Sequence, residues 1–108
     1  MCKIIFVTCN VTRYLYMIVS IRHKGLKRLW FRNDPSRLPN DQIEKIKLIL
    51  NRLDSAEDAW DMNFAGSGLH LLKGDLEHFW SVTVKANWRI IFQIRKGRVY
   101  LVDYLDYH

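Results

Sequence analysis

The residues with most chemistry to offer stand in the last third of the chain: His70, the terminal Asp106-Tyr107-His108, and Lys73, Lys85 and Arg89 between them. An imidazole has a reference pKa of about 6.5, so it takes or gives a proton near neutral pH. Of the four histidines, His23 opens a helical stretch and His78 stands beside Glu77, and both read as surface residues. His70 and His108 each lie beside other reactive groups. RNA carries its own nucleophile, the 2′-OH, so cutting it takes only a proton acceptor, a proton donor and cations for the charge that builds on phosphate. His70, Asp106 and His108 are the candidate proton carriers. Lys73, Lys85 and Arg89 are the candidate cations, with Tyr104 and Tyr107 for stacking or hydrogen bonding. The plainer alternative is that both tyrosines are ordinary strand aromatics and that Arg89 pairs with Asp106 as a surface ion pair. Composition and spacing alone favour that alternative.

Other chemistries find less support. His70, His108, Asp106 and Asp75 could gather an ion, but no His-x-His or His-x₃-His spacing accompanies them, and the neighbouring cations disfavour a divalent site. Cys2 and Cys9 match no zinc pattern and make no disulfide framework. Gly66-Ser67-Gly68 lacks the lysine and spacing of a phosphate loop, and no serine sits in a nucleophile elbow. Neither a metal nor a cofactor is expected.

Three runs must position these groups: Phe79–Lys85, Trp88–Arg95 and Arg98–Leu105. Trp80, Val82 and Val84 alternate with Ser81, Thr83 and Lys85, and Trp88, Ile90, Phe92 and Ile94 alternate with Arg89, Ile91, Gln93 and Arg95. Side chains of a strand switch sides at every residue, so the pattern predicts a sheet with one packed and one wet face. A two-residue Lys96-Gly97 turn sets Arg95 opposite Arg98, and by extension Phe92 opposite Leu101, Ile91 opposite Val102 and Arg89 opposite Tyr104. At Ala86-Asn87 a plain two-residue turn would throw Val82 and Val84 onto the wrong face. A three-residue turn or an equivalent bulge unites the apolar positions, and burying lysine and arginine instead costs far more. The polar face then collects Thr83, Lys85, Arg89, Gln93, Tyr100 and Tyr104, and adds Asp106 and His108 if the period persists. Asp103 is left on the apolar face, where it needs an edge position or a cationic partner.

Upstream, residues 1–16 read as an N-terminal extension with a possible edge strand at Ile4–Thr8, and Met17 is the expected natural start of a domain over 17–108. Met17–Ile21 reads as a first strand and His23–Phe31 as a short helix with Leu26, Leu29 and Trp30 on one side. Asn33-Asp34-Pro35-Ser36 breaks it. A longer helix starts at Pro39-Asn40-Asp41, with Ile43, Ile46, Ile49, Leu50 and Leu53 as its apolar stripe. The pattern fades from Ser55 to Gly68, and Leu69–Leu72 reads as a short strand. The expected fold is α+β: a strand and two helices covering one face of a C-terminal antiparallel sheet whose other face is open and basic.

A chain of 108 residues makes one domain with a modest core. Its 17 Lys+Arg against 11 Asp+Glu leave a net charge of +6, which points to a polyanionic or acidic partner. No run of 18 apolar residues predicts a membrane span, and Ile4-Ile5-Phe6-Val7 is too short for a signal-peptide core. Cytoplasmic location is the default.

Several motifs in order resemble the HigB toxins of the RelE/ParE superfamily: Met17-Ile18, Ser20-Ile21-Arg22-His23-Lys24-Gly25-Leu26-Lys27, Leu69 through Asp75, Trp80 through Val84, Ala86-Asn87-Trp88-Arg89-Ile90 and Asp106-Tyr107-His108. The resemblance covers Met17 to His108. It implies a RelE-like fold and a ribosome-dependent endoribonuclease, an mRNA interferase, that enters the 30S A site and cuts mRNA without a metal or cofactor. It implies a HigA-type helix-turn-helix antitoxin as partner, and no membrane or specific DNA binding by the toxin alone. By motif, His70, Asp106, Tyr107 and His108 match the family's active-site residues, and Lys73 and Arg89 its phosphate contacts. Lys85 stands where the family tends to have arginine, an exchange that keeps charge and gives up bidentate geometry. Relatives of the ParE type share the fold and inhibit gyrase instead. A plain basic RNA-binding module is the other alternative.

Overall fold

The computed structural model describes residues 17–107. The extension over 1–16, with its candidate edge strand, and His108 lie outside the described residues. The first helix, α1, spans Lys24–Arg32, and His23 caps it by accepting hydrogen bonds from the backbone N–H groups of Gly25 and Leu26 on its Nδ1. It stops at Asn33, whose φ of 55° is a left-handed conformation that asparagine tolerates. The second helix does not begin at Pro39. A 3₁₀ turn over Asn40–Gln42 leads into α2, Ile43–Ser55.

The stripe Ile43, Ile46, Ile49, Leu50 and Leu53 is buried along its whole length, as its spacing predicts. It packs with Leu26 and Leu29 of α1 against one face of a four-stranded antiparallel sheet. The strands run β1 His70–Leu71, β2 Trp80–Lys85, β3 Trp88–Arg95 and β4 Arg98–Asp106, in spatial order β1-β2-β3-β4. Val82, Ile90, Phe92, Val99 and Val102 supply the sheet's half of this core.

Two bulges decide which side chain goes where. At the β2–β3 turn Lys85 pairs with Trp88, yet one residue on Thr83 pairs with Arg89, so the extra residue is Val84. This is the bulge that the apolar pattern demands, and it brings Val82 opposite Ile90. Its consequence for Lys85 is the reverse of the expectation, because Lys85 now shares the helix-covered side with Trp88.

The second bulge lies in β4. The Lys96-Gly97 turn, with φ of 52° and 77°, pairs Arg95 with Arg98 as expected. Beyond Gln93–Tyr100 the register slips by one, at Leu101, which has a φ of 56°. Ile91 therefore faces Asp103, Ile90 faces Tyr104 and Arg89 faces Leu105, and the expected pairs Phe92–Leu101, Ile91–Val102 and Arg89–Tyr104 do not form. The slip turns Asp103 away from the main core, which resolves the misfit in the alternation. It turns Tyr104 and Asp106 towards the helices.

The first segment is a parallel neighbour of β4 rather than a full strand. Ile18 bridges Val99 and Ile21 bridges Val102, one on each side of the bulge. Between them Ser20 Oγ accepts the N–H of Leu101 at 2.9 Å, so a side chain takes over where the backbone ladder is broken.

The sheet's other face is not bare. Leu72, Phe79 and Ile91 form a second apolar cluster, with Leu76, Leu101, Leu105 and Tyr107 packed against it. The segment between β1 and β2, with a 3₁₀ turn over Gly74–Leu76, folds over this patch and is pinned by the Leu72 N–H to Phe79 carbonyl bond of 2.8 Å. An apolar platform therefore lies on this face.

Candidate active site

Cross-strand partners share a face. His70 lies opposite Ser81 and Ser81 opposite Ile91, so the His70 row runs through the second apolar cluster. Arg89 lies opposite Thr83, one pleat along on the same face. Strand spacing and rise place the Cα atoms of His70 and Arg89 roughly 12 Å apart. Tyr107 packs on the same platform, and its N–H is fixed by the Asn87 carbonyl at 2.8 Å. Lys73 stands exposed where β1 leads into the Gly74–Leu76 turn. One face thus gathers His70, Arg89 and Tyr107 around a hydrophobic floor, with Lys73 at the end of the edge strand.

Two of these side chains have defined partners. Arg89 Nη1 donates to the Ala86 and Trp88 carbonyls, which holds the guanidinium over the β2–β3 turn. His70 Nδ1 lies 3.3 Å from the Gly68 carbonyl. A carbonyl oxygen only accepts, so in this contact Nδ1 is the donor. Gly68, two residues before His70, has a tight position. Its φ is +55°, and a Cβ there would stand 3.0 Å from Thr83 Oγ1.

Three expected site residues are elsewhere. Lys85 reaches Asp41 in an exposed ion pair at the entry to α2, and that bond holds the Asp41 carboxyl below the usual carboxylate range. Tyr104 is buried, stacked on Trp88 at 4.8 Å and edge-on to His23 at 5.3 Å, with its hydroxyl donating to Gln42. Burial raises its pKa, and the Asp41 and Asp106 carboxylates raise it further. Asp106, opposite Trp88, lies on the helix-covered side of the strand end rather than on the Arg89 face. Lys85 and Tyr104 therefore stand apart from the His70 and Arg89 face. Asp106 is the last residue of β4, and Tyr107 follows it directly. His108 follows, outside the described residues.

Gln42 and Asp41, which anchor Tyr104 and Lys85, carry no signal in the sequence beyond their place at a helix start. Among the described residues no group of three or more His, Cys, Asp or Glu gathers closely enough to hold a metal ion.

Comparison with known proteins gives this geometry a family. A family model described as RelE-like toxin of type II toxin–antitoxin system HigB matches residues 19–108. The chain belongs to the HigB-like toxin family. It is also 44% identical over 92 residues to Endoribonuclease HigB of Proteus vulgaris, an alignment covering 85% of this chain and all of that protein. As a HigB-like toxin of a type II system, the chain works opposite an antitoxin partner. No helix among its described residues is long and apolar enough to cross a membrane.

Proposed function

We propose that this toxin is a cytoplasmic, ribosome-dependent endoribonuclease that cuts mRNA in the 30S A site and thereby stops translation. The observation that carries the reading is the shared face of His70 and Arg89, which brings an imidazole and a guanidinium to one side of the sheet. The 44% identity to an endoribonuclease supports it.

The 2′-OH attacks the adjacent phosphorus and the P–O5′ bond breaks, so one proton leaves the 2′ oxygen and one reaches the 5′ oxygen. His70 Nε2 or Asp106 takes the first proton, and His108 delivers the second. Arg89 and Lys73 stabilise the charge on the phosphorane, and Tyr107 stacks on or hydrogen-bonds the nucleotide. The products are a 5′-OH and a 2′,3′-cyclic phosphate, which a water molecule can then open to a 3′-phosphate. With no strong base in reach, the site depends on ribosomal RNA to hold the mRNA in line for attack. A HigA-type helix-turn-helix antitoxin is the neutralising partner.

The test is to induce wild type, His108→Ala and Arg89→Ala and to map mRNA ends. Wild type should arrest growth with codon-periodic cuts ending in 5′-OH, and both variants should lose them. A 5′-phosphate product rules out this chemistry. DNA damage and filamentation without mRNA cuts would indicate a ParE-like action on gyrase.

A further inference from the structure

The segment that carries His70 joins β2 with one residue too many. His70 pairs with Ser81, and the Leu72 N–H bonds the Phe79 carbonyl at 2.8 Å. A regular antiparallel ladder continued upstream from these pairs would bring the Thr83 N–H to the Gly68 carbonyl. It goes instead to the Ser67 carbonyl, at 2.7 Å. Gly68 is the extra residue, and its φ of +55° is the left-handed backbone that lets a strand hold an unpaired residue. The bulge releases the Gly68 carbonyl from the ladder, and that oxygen is the one 3.3 Å from His70 Nδ1. Both ends of the bulge are anchored on β2, Ser67 to Thr83 and His70 to Ser81. Thr83 also closes the space beside Gly68, since a Cβ there would stand 3.0 Å from its Oγ1.

We propose that Gly68 is a positioning residue for the cleavage reaction: its carbonyl keeps the proton of the neutral His70 ring on Nδ1, so that Nε2 holds the lone pair that takes the 2′-OH proton. This deepens the reading of the His70 face as a nuclease site and rests on it, and it assigns the first proton to His70 rather than to Asp106. A neutral imidazole carries one ring proton, and the hydrogen bond made by one nitrogen decides which nitrogen is left free. Once Nε2 has taken the proton both nitrogens are donors, and the carbonyl still accepts from Nδ1. The contact therefore serves the ring before and after the transfer. A backbone oxygen here fills the place that a buried carboxylate takes behind the histidine of a serine protease. Only glycine suits the position. Any side chain at residue 68 opposes the left-handed backbone and meets Thr83, and relieving either moves the carbonyl away from His70.

Two measurements on the full chain test this. Nitrogen-15 NMR of the imidazoles, with His70→Gln to assign the signals, shows which nitrogen of neutral His70 carries the proton. Single-turnover cleavage of mRNA on programmed ribosomes gives a rate and a half-saturating toxin concentration. Gly68→Ala is compared with Gly66→Ala, a change in the same loop at a φ of +83° where the new Cβ meets nothing within 4 Å. Wild type should carry the proton on Nδ1. Gly68→Ala should move it towards Nε2 and slow cleavage about tenfold or more, within the roughly 10²–10⁴ that proton transfer by a side chain supplies, with half-saturation unchanged. Gly66→Ala should keep the wild-type tautomer and rate. Gly68→Ala/Thr83→Ala removes the obstructing Oγ1 and should recover part of both losses, measured against Thr83→Ala. A wild-type proton on Nε2 overturns the proposal whether or not Gly68→Ala folds. Equal losses in Gly66→Ala and Gly68→Ala overturn it too, because backbone strain alone would then explain them. So does a shifted tautomer with full cleavage, which passes the first proton to Asp106. Failure of the underlying reading looks different: His70→Gln then cuts mRNA at the wild-type rate, or wild type cuts none, while the wild-type spectrum still shows the Nδ1 proton.

Discussion

Tyr104 gives its hydroxyl proton to Gln42 Oε1 inside the core and so ties the last strand to the start of α2 across 62 residues of chain. The same ring stacks on Trp88, and Asp106 follows two residues later. Tyr104→Phe leaves a buried amide oxygen without its partner, a loss of about 1–3 kcal/mol. Tyr104→Phe/Gln42→Leu should cost less than the sum of the single changes, because no orphaned polar atom remains. Urea unfolding of the two single variants and the double variant checks this.

Stability should also fall at alkaline pH through this residue. Burial and the nearby Asp41 and Asp106 carboxylates raise the Tyr104 pKa above 10.0, so the folded state holds the phenolic proton more tightly than the unfolded chain does. Its contribution is complete below pH 10 and is lost as pH rises through the raised value. Thermal unfolding from pH 8 to 11 should show this alkaline decline in wild type and a smaller one in Tyr104→Phe.

The Asp41–Lys85 pair predicts the opposite limb. Asp41 is held below its reference value of 3.8 by its bond to Lys85, so the pair's contribution is present above that pH and lost as pH falls through the depressed value. Both groups are exposed, so the effect is small. Lys85→Ala should leave mRNA cleavage near wild type, where Arg89→Ala abolishes it. Equal losses would return Lys85 to the phosphate-binding set.

Ser20→Ala removes the acceptor for the Leu101 N–H at the β4 bulge. Leaving that half-buried donor unpaired should cost about 1–2 kcal/mol, a fall in Tm of several degrees for a domain of this size. Ser20→Thr retains the oxygen and should recover most of it. Differential scanning calorimetry of the pair decides the matter.

Lys96 has a φ of 52° in the hairpin turn, a conformation that a side chain opposes and asparagine tolerates. Lys96→Asn makes the turn Asn-Gly and should stabilise the protein by about 0.5–1 kcal/mol with no change in cleavage. Chemical denaturation reads the gain.

The amphipathic stripe of α2, the strand runs and the need for a bulge before Ala86 are legible in the sequence because each rests on local periodicity. So are the chemistries of His70, Arg89 and Tyr107, and the motifs that resemble HigB toxins. The second bulge is not legible. Nothing local marks Leu101 for a left-handed backbone, since the group that accepts its N–H is Ser20, 81 residues earlier in the chain. That single inserted residue reverses the facing of every side chain after it.

The sequence by itself determined the helices, the strands, the apolar side of the sheet and the kind of chemistry on offer. Tertiary structure alone decided which polar groups share a face, keeping Arg89 with His70 and sending Tyr104, Asp106 and Lys85 towards the helices. The physical reason is parity: alternation reports a side chain's direction only relative to its neighbours, and one bulge, paired through space, inverts the count.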